Sequence, residues 1–383
     1  MAVACGVAVA NLYYAQPLLP FLATSFGVPK ARAAMLVTAS QVGYAVGLVA
    51  VVPLGDLFER RRLAVVSLMA AALALVVSAG SQSMWALTVA TVATGLTSVV
   101  AQVLVPFAAD LADPARRGRT VGVVMSGLLM GILLARSVSG LVAQVAGWRA
   151  VYVFAASATV LVAVGLGIVL PGERARERPR YKDALVMTAR LMAEEPVLRV
   201  RAVYGALGFA AFSALWSTFA FVASSAPYRF SSGTIGLFGL LGVAGTLVAN
   251  LAGRLVDAGR EYAATGAFSL FLAVSFGLSA IGRSSLVALV AGIALLDVGV
   301  QGLQISNQAV IYKLRPDARS RITSAYMTTY FAGGALGSAA AGALYAVGGW
   351  SDVCAFGAGL GLAAIGLWAW DGHRRRSHRQ AQP

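Results

Sequence analysis

Charged residues, cysteine and histidine are scarce in this chain. Asp, Glu, Lys and Arg make up 12% of its 383 residues, against roughly 25% in soluble domains. The two cysteines cannot build a disulfide framework or a four-ligand zinc site, and both histidines lie close to the C-terminus. The chain also lacks a Walker loop for binding ATP. These absences argue against a soluble domain, an ATP-driven pump and an enzyme, and we expect no cofactor and no metal site.

Long apolar runs dominate what is present. Hydrophobic residues make up 59% of the chain, and the mean hydropathy is +0.78. Because a bilayer core is about 30 Å thick, an apolar helix needs roughly 20 residues to cross it. The sequence therefore predicts an all-α membrane protein with twelve transmembrane helices, spans 1 to 12. The runs are 3–26, 33–56, 63–80, 84–109, 120–145, 150–171, 200–224, 231–256, 263–282, 285–312, 321–346 and 351–371.

Basic residues exceed acidic ones, and most of them lie on one side of the predicted membrane. The net charge is +15, and the basic residues lie in short clusters between apolar runs. This distribution favours the lipid bilayer as a partner over nucleic acid. With both termini in the cytoplasm, 24 of the 30 Lys and Arg residues are cytoplasmic, five face the other side and Arg136 lies inside span 5. Because basic loops are retained in the cytoplasm, we predict both termini there.

The two halves of the chain repeat each other. A shift of 202 residues aligns landmarks in spans 4 to 6 with landmarks in spans 10 to 12. Each half holds six spans, so both halves share one orientation and are related by an axis along the membrane normal. The aligned pairs include Pro114 with Pro316, Arg117 with Arg319, Gly147 with Gly349 and Trp148 with Trp350.

The repeat divides the chain into four predicted regions. These are an N-terminal six-helix half over 1–171, a cytoplasmic linker over 172–198, a C-terminal six-helix half over 199–371 and a basic cytoplasmic tail over 372–383. In the linker, Leu185, Ala189 and Met192 fall on one helical face, which fits a short amphipathic helix lying on the membrane. A solvated tether explains the linker equally well.

Three motifs resemble the major facilitator superfamily, in particular its bacterial efflux permeases and drug:proton antiporters. The segment 53–62, PLGDLFERRR, is similar to the signature loop of the family, and 253–260 is similar to its second copy. Span 1 contains NLYYAQPLLP at 11–20, and Gly127, Gly131 and Gly140 in span 5 resemble the glycine-rich antiporter motif. The resemblance covers essentially the whole chain and implies a transporter of the bacterial inner membrane that works by alternating access.

The signature loop of the family is implied to latch the cytoplasmic side shut. An acid at the end of a helix can face a neighbouring helix N-terminus and a guanidinium, each worth up to about 1 kcal/mol. The alternative is that these residues are ordinary basic loop residues and their neighbours. The latch candidates are Asp56, Arg60 and Arg61, and in the second copy Arg254, Asp257 and Arg260.

Two ionisable residues lie deep within spans. Arg136 in span 5 and Asp297 in span 10 are at similar depths, and a lone charge there costs about 3 kcal/mol. We predict that they pair between the two halves. The pair could be a structural clamp, or Asp297 could be the carboxylate that couples transport to protons, or Arg136 could bind an anionic group of the substrate.

Polar side chains on spans 1, 4, 7 and 10 outline a predicted cavity. On span 10, Asp297 and three glutamines recur on one helical face, which lipid would not tolerate. Span 1 is expected to kink at Pro17 and Pro20. Hydrogen bonds between helices are the alternative role for each of these residues. The candidates are Asn11, Tyr14, Gln16, Thr94, Ser98, Gln102, Ser213, Trp216, Gln301, Gln304 and Gln308.

Amide and aromatic groups in this cavity suit a neutral or amphipathic small molecule. The resulting prediction is a secondary active transporter that works as a monomer and exports its substrate with the proton gradient. Uptake by the same fold is an alternative, because direction depends on gradients. A non-transporting receptor or a membrane enzyme is a less favoured alternative, since the sequence shows no catalytic constellation and no large extramembrane domain.

Overall fold

A computed structural model describes residues 1–113, 116–172, 181–314 and 319–380, which form α-helices and short 3-10 helices. Spans 1 to 6 begin and end where the hydropathy predicts, within a few residues. Their helices are Ala2–Ala10, the 3-10 helix Gln16–Leu18 and Leu19–Phe26 in span 1, Lys30–Ala50 and the 3-10 helix Val52–Asp56 in span 2, Arg60–Ala79 in span 3, Met84–Thr97 and Val100–Leu111 in span 4, Arg117–Ala146 in span 5 and Trp148–Val169 in span 6.

The second set of spans follows a helical linker. The helices are Tyr181–Glu194 in the linker, Pro196–Ala223 in span 7, Ser232–Leu237, the 3-10 helix Phe238–Gly242 and Val243–Asp257 in span 8, Glu261–Ile281 in span 9, Leu286–Ile311 in span 10 and Arg319–Gln380 for spans 11 and 12. In that last element the backbone leaves the helical region at Gly349.

Nine helices in the described part of the chain are long and apolar enough to cross a membrane. One of them, Arg321–His373, is the part of the last helix that qualifies; it is 53 residues long and contains both span 11 and span 12. Spans 1 and 8 are each divided into shorter helical pieces. The helices therefore account for all twelve predicted crossings.

Span 1 is interrupted at its middle. The α-helix ends at Ala10 and resumes at Leu19, and Pro17 lies in the 3-10 helix between them. Proline lacks the N–H that an α-helix needs and its ring clashes with the preceding turn. The predicted kink at Pro17 is confirmed, while Pro20 lies in the first turn of the second helix, where proline is tolerated.

The linker contains a helix, Tyr181–Glu194, as one of the two interpretations predicts. The Tyr181 hydroxyl donates to the Ala50 carbonyl oxygen at 2.9 Å, which holds the start of this helix against the end of span 2. Arg190 and Glu194 form an ion pair on its exposed side. Whether the helix lies on the membrane surface stays a prediction.

The chain forms two compact units. The first comprises Met1–Glu194 and Phe219–Leu240, and the second comprises Glu195–Thr218 and Leu241–Pro383. The end of span 7 and the first part of span 8 thus pack with the first unit. The four predicted regions follow the sequence repeat and stay a prediction.

Each unit has its own packed interior. In the first unit, span 1 packs on span 5, span 2 on span 4 and span 3 on span 6. In the second unit, span 10 packs on spans 8 and 9. Span 12 is held to span 9 by two tryptophans: Nε1 of Trp350 donates to the Ser279 carbonyl oxygen at 2.7 Å, and Nε1 of Trp368 donates to that of Tyr262 at 2.9 Å.

The internal repeat is visible in the backbone. Gly147 has φ of 81° and Gly349 has φ of 67°, and each directly precedes an aligned tryptophan, Trp148 or Trp350. Residues with a side chain rarely adopt this left-handed region, so glycine is needed at both turns. The aligned Gly-Trp pairs thus mark the same sharp turn into span 6 and into span 12.

Candidate functional site

Span 10 carries a polar face in the second unit. Asp297 is 4% exposed, whereas Gln301, Gln304 and Gln308 are half-buried. Because a polar group exposed to lipid costs free energy, half-buried amides within a span are expected to face water. The predicted stripe is therefore buried at Asp297 and open along the three glutamines.

Aromatic side chains from spans 7 and 11 lie beside this face. The Tyr330 hydroxyl donates to Oε1 of Gln304 at 3.1 Å, and the Tyr330 ring stacks on Phe209 with the ring centroids 4.2 Å apart. Phe331 meets Phe209 edge-on at 4.9 Å. Sequence reasoning missed span 11 here, because Tyr330 and Phe331 show no spacing that distinguishes them from the rest of an apolar span.

The two predicted residues of span 7 are buried in the same unit. Ser213 and Trp216 are both inaccessible to solvent or nearly so. The Trp216 ring lies 6.2 Å from that of Phe212, which in turn stacks on Phe209 at 5.6 Å. Trp216 therefore extends the aromatic cluster along span 7.

In the first unit, the interrupted part of span 1 is held by span 5. Nε of Arg136 donates to Oε1 of Gln16 at 2.6 Å, and the guanidinium carbon lies 4.8 Å from the centroid of the Tyr13 ring. The Ser139 hydroxyl donates to the Tyr14 carbonyl oxygen at 2.6 Å. Arg136 is 3% exposed, so its charge is desolvated and these contacts help to stabilise it. Its pairing with Asp297 stays a prediction.

The predicted residues of span 4 serve different contacts. Thr94 is buried and its hydroxyl donates to the Ala90 carbonyl oxygen of its own helix at 2.9 Å. Nε2 of Gln102 donates to the Tyr44 hydroxyl of span 2 at 3.4 Å, so Gln102 makes a hydrogen bond between helices. Ser98 is buried where the two helices of span 4 meet.

Spans 5 and 8 form a tight seam within the first unit. The Ser137 hydroxyl donates to the Gly236 carbonyl oxygen at 3.1 Å, and the Ser232 hydroxyl donates to that of Gly140 at 3.0 Å. A Cβ on Gly140 would lie 2.2 Å from the Ser232 carbonyl oxygen, so only glycine allows this approach. Gly140 was noted for its resemblance to a family motif, and its partner Gly236 was missed.

The signature loop contains ion pairs that the sequence did not predict. NH1 of Arg60 lies 2.8 Å from Oδ2 of Asp110 at the end of span 4, and Nε of Arg61 lies 3.2 Å from Oε1 of Glu59. Asp56 is exposed. In the second copy Arg254 and Arg260 are exposed, and the side chain of Asp257 lies outside the described part. The latch role of these residues stays a prediction.

Arg201, one of the 24 Lys and Arg residues assigned to the cytoplasmic side by the charge distribution, is a buried polar residue. It is 2% exposed, and its NH1 donates to Oγ1 of Thr265 at 2.9 Å and to Oδ1 of Asn307 at 3.4 Å. Nδ2 of Asn307 in turn donates to the Tyr326 hydroxyl at 3.4 Å. These contacts join spans 7, 9, 10 and 11 within the second unit. Its place two residues after exposed Arg199 gave no signal of burial.

The chemistry of these groups is that of binding. Within the described residues, no group of three or more His, Cys, Asp or Glu side chains is placed to hold a metal ion. The free thiols of Cys5 and Cys354 are buried in spans 1 and 12. Amides, hydroxyls, aromatic rings and the buried ionisable side chains Arg136, Arg201 and Asp297 are suited to recognising a small molecule.

Named relatives cover nearly the whole chain. The uncharacterized transporter YgaY of Escherichia coli O157:H7 is 46% identical over 376 residues, covering 98% of this chain and 95% of that protein. The probable transporter SCO4007 of Streptomyces coelicolor is 36% identical over 358 residues, covering 93% of this chain and 83% of that protein. Both relatives are named as transporters, and both align with this chain across its two halves.

A solved structure with low identity shares the fold. It is a bacterial homologue of the human lysosomal transporter Spinster, with a TM-score of 0.74, 14% identity and coverage of 96% of this chain and 92% of that one. The family model of the Major Facilitator Superfamily matches residues 1–284 and 251–383. The predicted fold and family are confirmed. The chain therefore belongs to the major facilitator superfamily and is a multi-pass membrane transporter rather than an enzyme.

Proposed function

We propose that this transporter exports a neutral or amphipathic small molecule across the bacterial inner membrane in exchange for protons. Asp297 carries the proton. The observation that supports this most directly is its burial: among the described residues, Asp297 is the one carboxylate that is more than nine-tenths buried. The transporter needs no cofactor beyond the proton gradient and works as a monomer with both termini in the cytoplasm.

A buried carboxylate is suited to proton coupling for an electrostatic reason. Transfer of an ionised carboxylate out of water costs far more than transfer of the neutral acid. A change in its surroundings therefore changes how strongly the carboxylate holds a proton. If Asp297 is exposed to opposite sides of the membrane in turn, it can take up a proton on one side and release it on the other.

The surroundings of Asp297 favour a neutral substrate. Gln301, Gln304 and Gln308 offer amides that both donate and accept hydrogen bonds, and Tyr330 and Phe209 offer ring faces. Amides and rings bind uncharged polar and aromatic groups without requiring a counter-ion. Export is favoured over uptake by the resemblance of spans 1 and 5 to efflux permeases.

The test is substrate-linked proton movement in proteoliposomes that contain a pH-sensitive dye. We expect a panel of uncharged and amphipathic aromatic compounds to include one that triggers proton flux through the wild type. Asp297→Asn keeps the shape of the side chain but cannot release a proton, so flux should fall at least tenfold. Asp113→Asn removes an exposed carboxylate of the loop after span 4 and should leave flux unchanged.

Two results would contradict the proposal. Wild-type proton flux through Asp297→Asn would remove Asp297 from the coupling step. Accumulation of the same compound against its gradient in the direction of cytoplasmic uptake, measured in right-side-out vesicles, would replace export by uptake.

A further inference from the structure

The carboxamide of Asn11 lies at the point where the first helix of span 1 ends. The side chain is 8% exposed, and the interruption that it begins is close to the middle of the span Ala2–Phe26. Neither Nδ2 nor Oδ1 of Asn11 has a hydrogen-bond partner among the described residues. A donor and an acceptor of one amide are therefore both withdrawn from solvent, and no described residue pairs with either of them.

The rest of the interrupted segment is fixed by span 5. Gln16 accepts from Arg136, the Tyr14 carbonyl accepts from Ser139, and the Tyr13 ring lies beside the Arg136 guanidinium. These contacts on the following turns fix the backbone that carries Asn11. The neighbouring residues thus hold the Asn11 amide in place but form no hydrogen bond with it.

A second polar atom shares this condition in the same unit. Span 4 is interrupted between Thr97 and Val100, and the Ser98 hydroxyl at this break is buried with no hydrogen-bond partner among the described residues. Interrupted membrane helices are sites where transporters commonly bind their substrates. The interruptions of spans 1 and 4 therefore each carry a polar group that no described residue pairs with.

Such groups carry an energetic cost. A buried donor or acceptor without a partner costs about 1–3 kcal/mol, and an apolar residue of the same shape can be neutral or stabilising there. A residue that lowers stability at a fixed position is characteristic of a functional site. A ligand that supplied both hydrogen bonds would offset this cost at Asn11.

We propose that Asn11 selects substrates that carry a primary amide or a lactam. A primary amide or a lactam has an N–H donor on the same side as its C=O acceptor, so it can pair with the Asn11 carboxamide through two hydrogen bonds, whereas an ester offers only acceptors. A site built for such a pair discriminates against an analogue that leaves one of its groups unpaired. This inference rests on the proposed function in one respect: the substrate is neutral.

The test compares benzamide with methyl benzoate as matched probes of the purified full-length protein. Ligand binding to the folded state raises the thermal midpoint Tm. We expect benzamide to raise the Tm of the wild type more than methyl benzoate does. In Asn11→Leu the difference should disappear, and the Tm without ligand should be equal to or higher than that of the wild type.

A control variant separates recognition from general packing. Thr91 is buried in span 4 and its hydroxyl donates to the Leu87 carbonyl oxygen of its own helix at 2.7 Å. Thr91→Val keeps the shape and should retain the preference for benzamide. Equal effects of both probes on the wild type, or an unchanged preference in Asn11→Leu, would overturn the proposal.

The Tm of Asn11→Leu without ligand is a second test of the proposal. A lower Tm for Asn11→Leu without ligand would mean that Asn11 stabilises the fold, for example through a bound water, and would overturn the argument from cost. The proton-flux experiment tests the proposed function separately, because it measures proton movement and not ligand binding. A lost benzamide preference in Asn11→Leu, together with normal flux in Asp297→Asn, would support amide recognition and reject proton coupling through Asp297.

Discussion

At the residue scale, the informative positions are polar side chains that the chain buries. Arg136 and Asp297 stand out in the sequence because each interrupts an apolar span. Arg201 does not stand out, because it lies near the start of span 7 within a basic cluster. Its burial follows from contacts with Thr265 and Asn307, which come from other helices.

Replacing Arg201 with leucine should destabilise the protein. A hydrogen bond to a charged group contributes about 1.5–3 kcal/mol, and the variant leaves Asn307 without its guanidinium donor. We expect a lower midpoint in thermal or denaturant unfolding for Arg201→Leu. Arg199→Leu removes an exposed arginine two residues earlier and should change the midpoint little. Equal effects of the two variants would mean that the contacts of Arg201 add nothing to stability.

At the element scale, spans 5 and 8 are joined by backbone approach rather than by large side chains. Two serine hydroxyls donate to glycine carbonyls across the seam, and the helices are close enough that glycine is required at Gly140 and Gly236. Membrane helices associate by such close packing, because lipid gives little hydrophobic drive between them. The seam joins a span of the N-terminal sequence repeat to a span of the C-terminal one.

Adding one methyl group to this seam should separate the two helices. In Gly140→Ala the new Cβ would meet the Ser232 carbonyl oxygen at 2.2 Å, and backbone cannot move aside as a side chain can. We expect a loss of about 1–3 kcal/mol in the free energy of unfolding. The measurement is the unfolding midpoint of the purified protein.

Gly165→Ala provides the matched control for this change. Gly165 lies inside the span 6 helix and has open space where a Cβ would be added. Alanine favours a helix over glycine by about 1 kcal/mol, so this variant should be as stable as the wild type or more so. Destabilisation by Gly165→Ala to the same extent would show that the loss at Gly140 does not arise from the seam.

At the scale of the whole molecule, the distribution of basic residues predicts the orientation. Arg62, with a side chain 79% exposed, follows span 2 on the predicted cytoplasmic side, and Ser284 is exposed between spans 9 and 10 on the predicted outer side. Both native cysteines are buried and should react poorly with thiol reagents. The wild type is therefore a low-background reference for cysteine labelling.

Labelling of single introduced cysteines should show the orientation directly. A membrane-impermeant maleimide added to intact cells should label Ser284→Cys but should label Arg62→Cys only after the membrane is permeabilised. The physical reason is that loops rich in Lys and Arg are retained in the cytoplasm. The opposite pattern would place the termini outside and reverse the predicted topology.

The amino-acid sequence alone determined the features that depend on local composition. Hydropathy located the twelve spans, Pro17 located the break in span 1, and the Gly-Trp pairs at 147 and 349 marked the repeat. Each of these features arises within a short stretch of chain, because a helix in a membrane satisfies its backbone within itself. The family motifs are local in the same way.

Only the tertiary structure decided which distant residues meet. It pairs Arg60 with Asp110, holds Gln16 with Arg136, buries Arg201 and brings Gly140 against Ser232. None of these contacts has a fixed spacing along the chain, since each depends on which helices pack together and at what rotation. Hydropathy along the sequence is enough to locate the spans, whereas the contacts between spans depend on side-chain shape and hydrogen bonding across the fold.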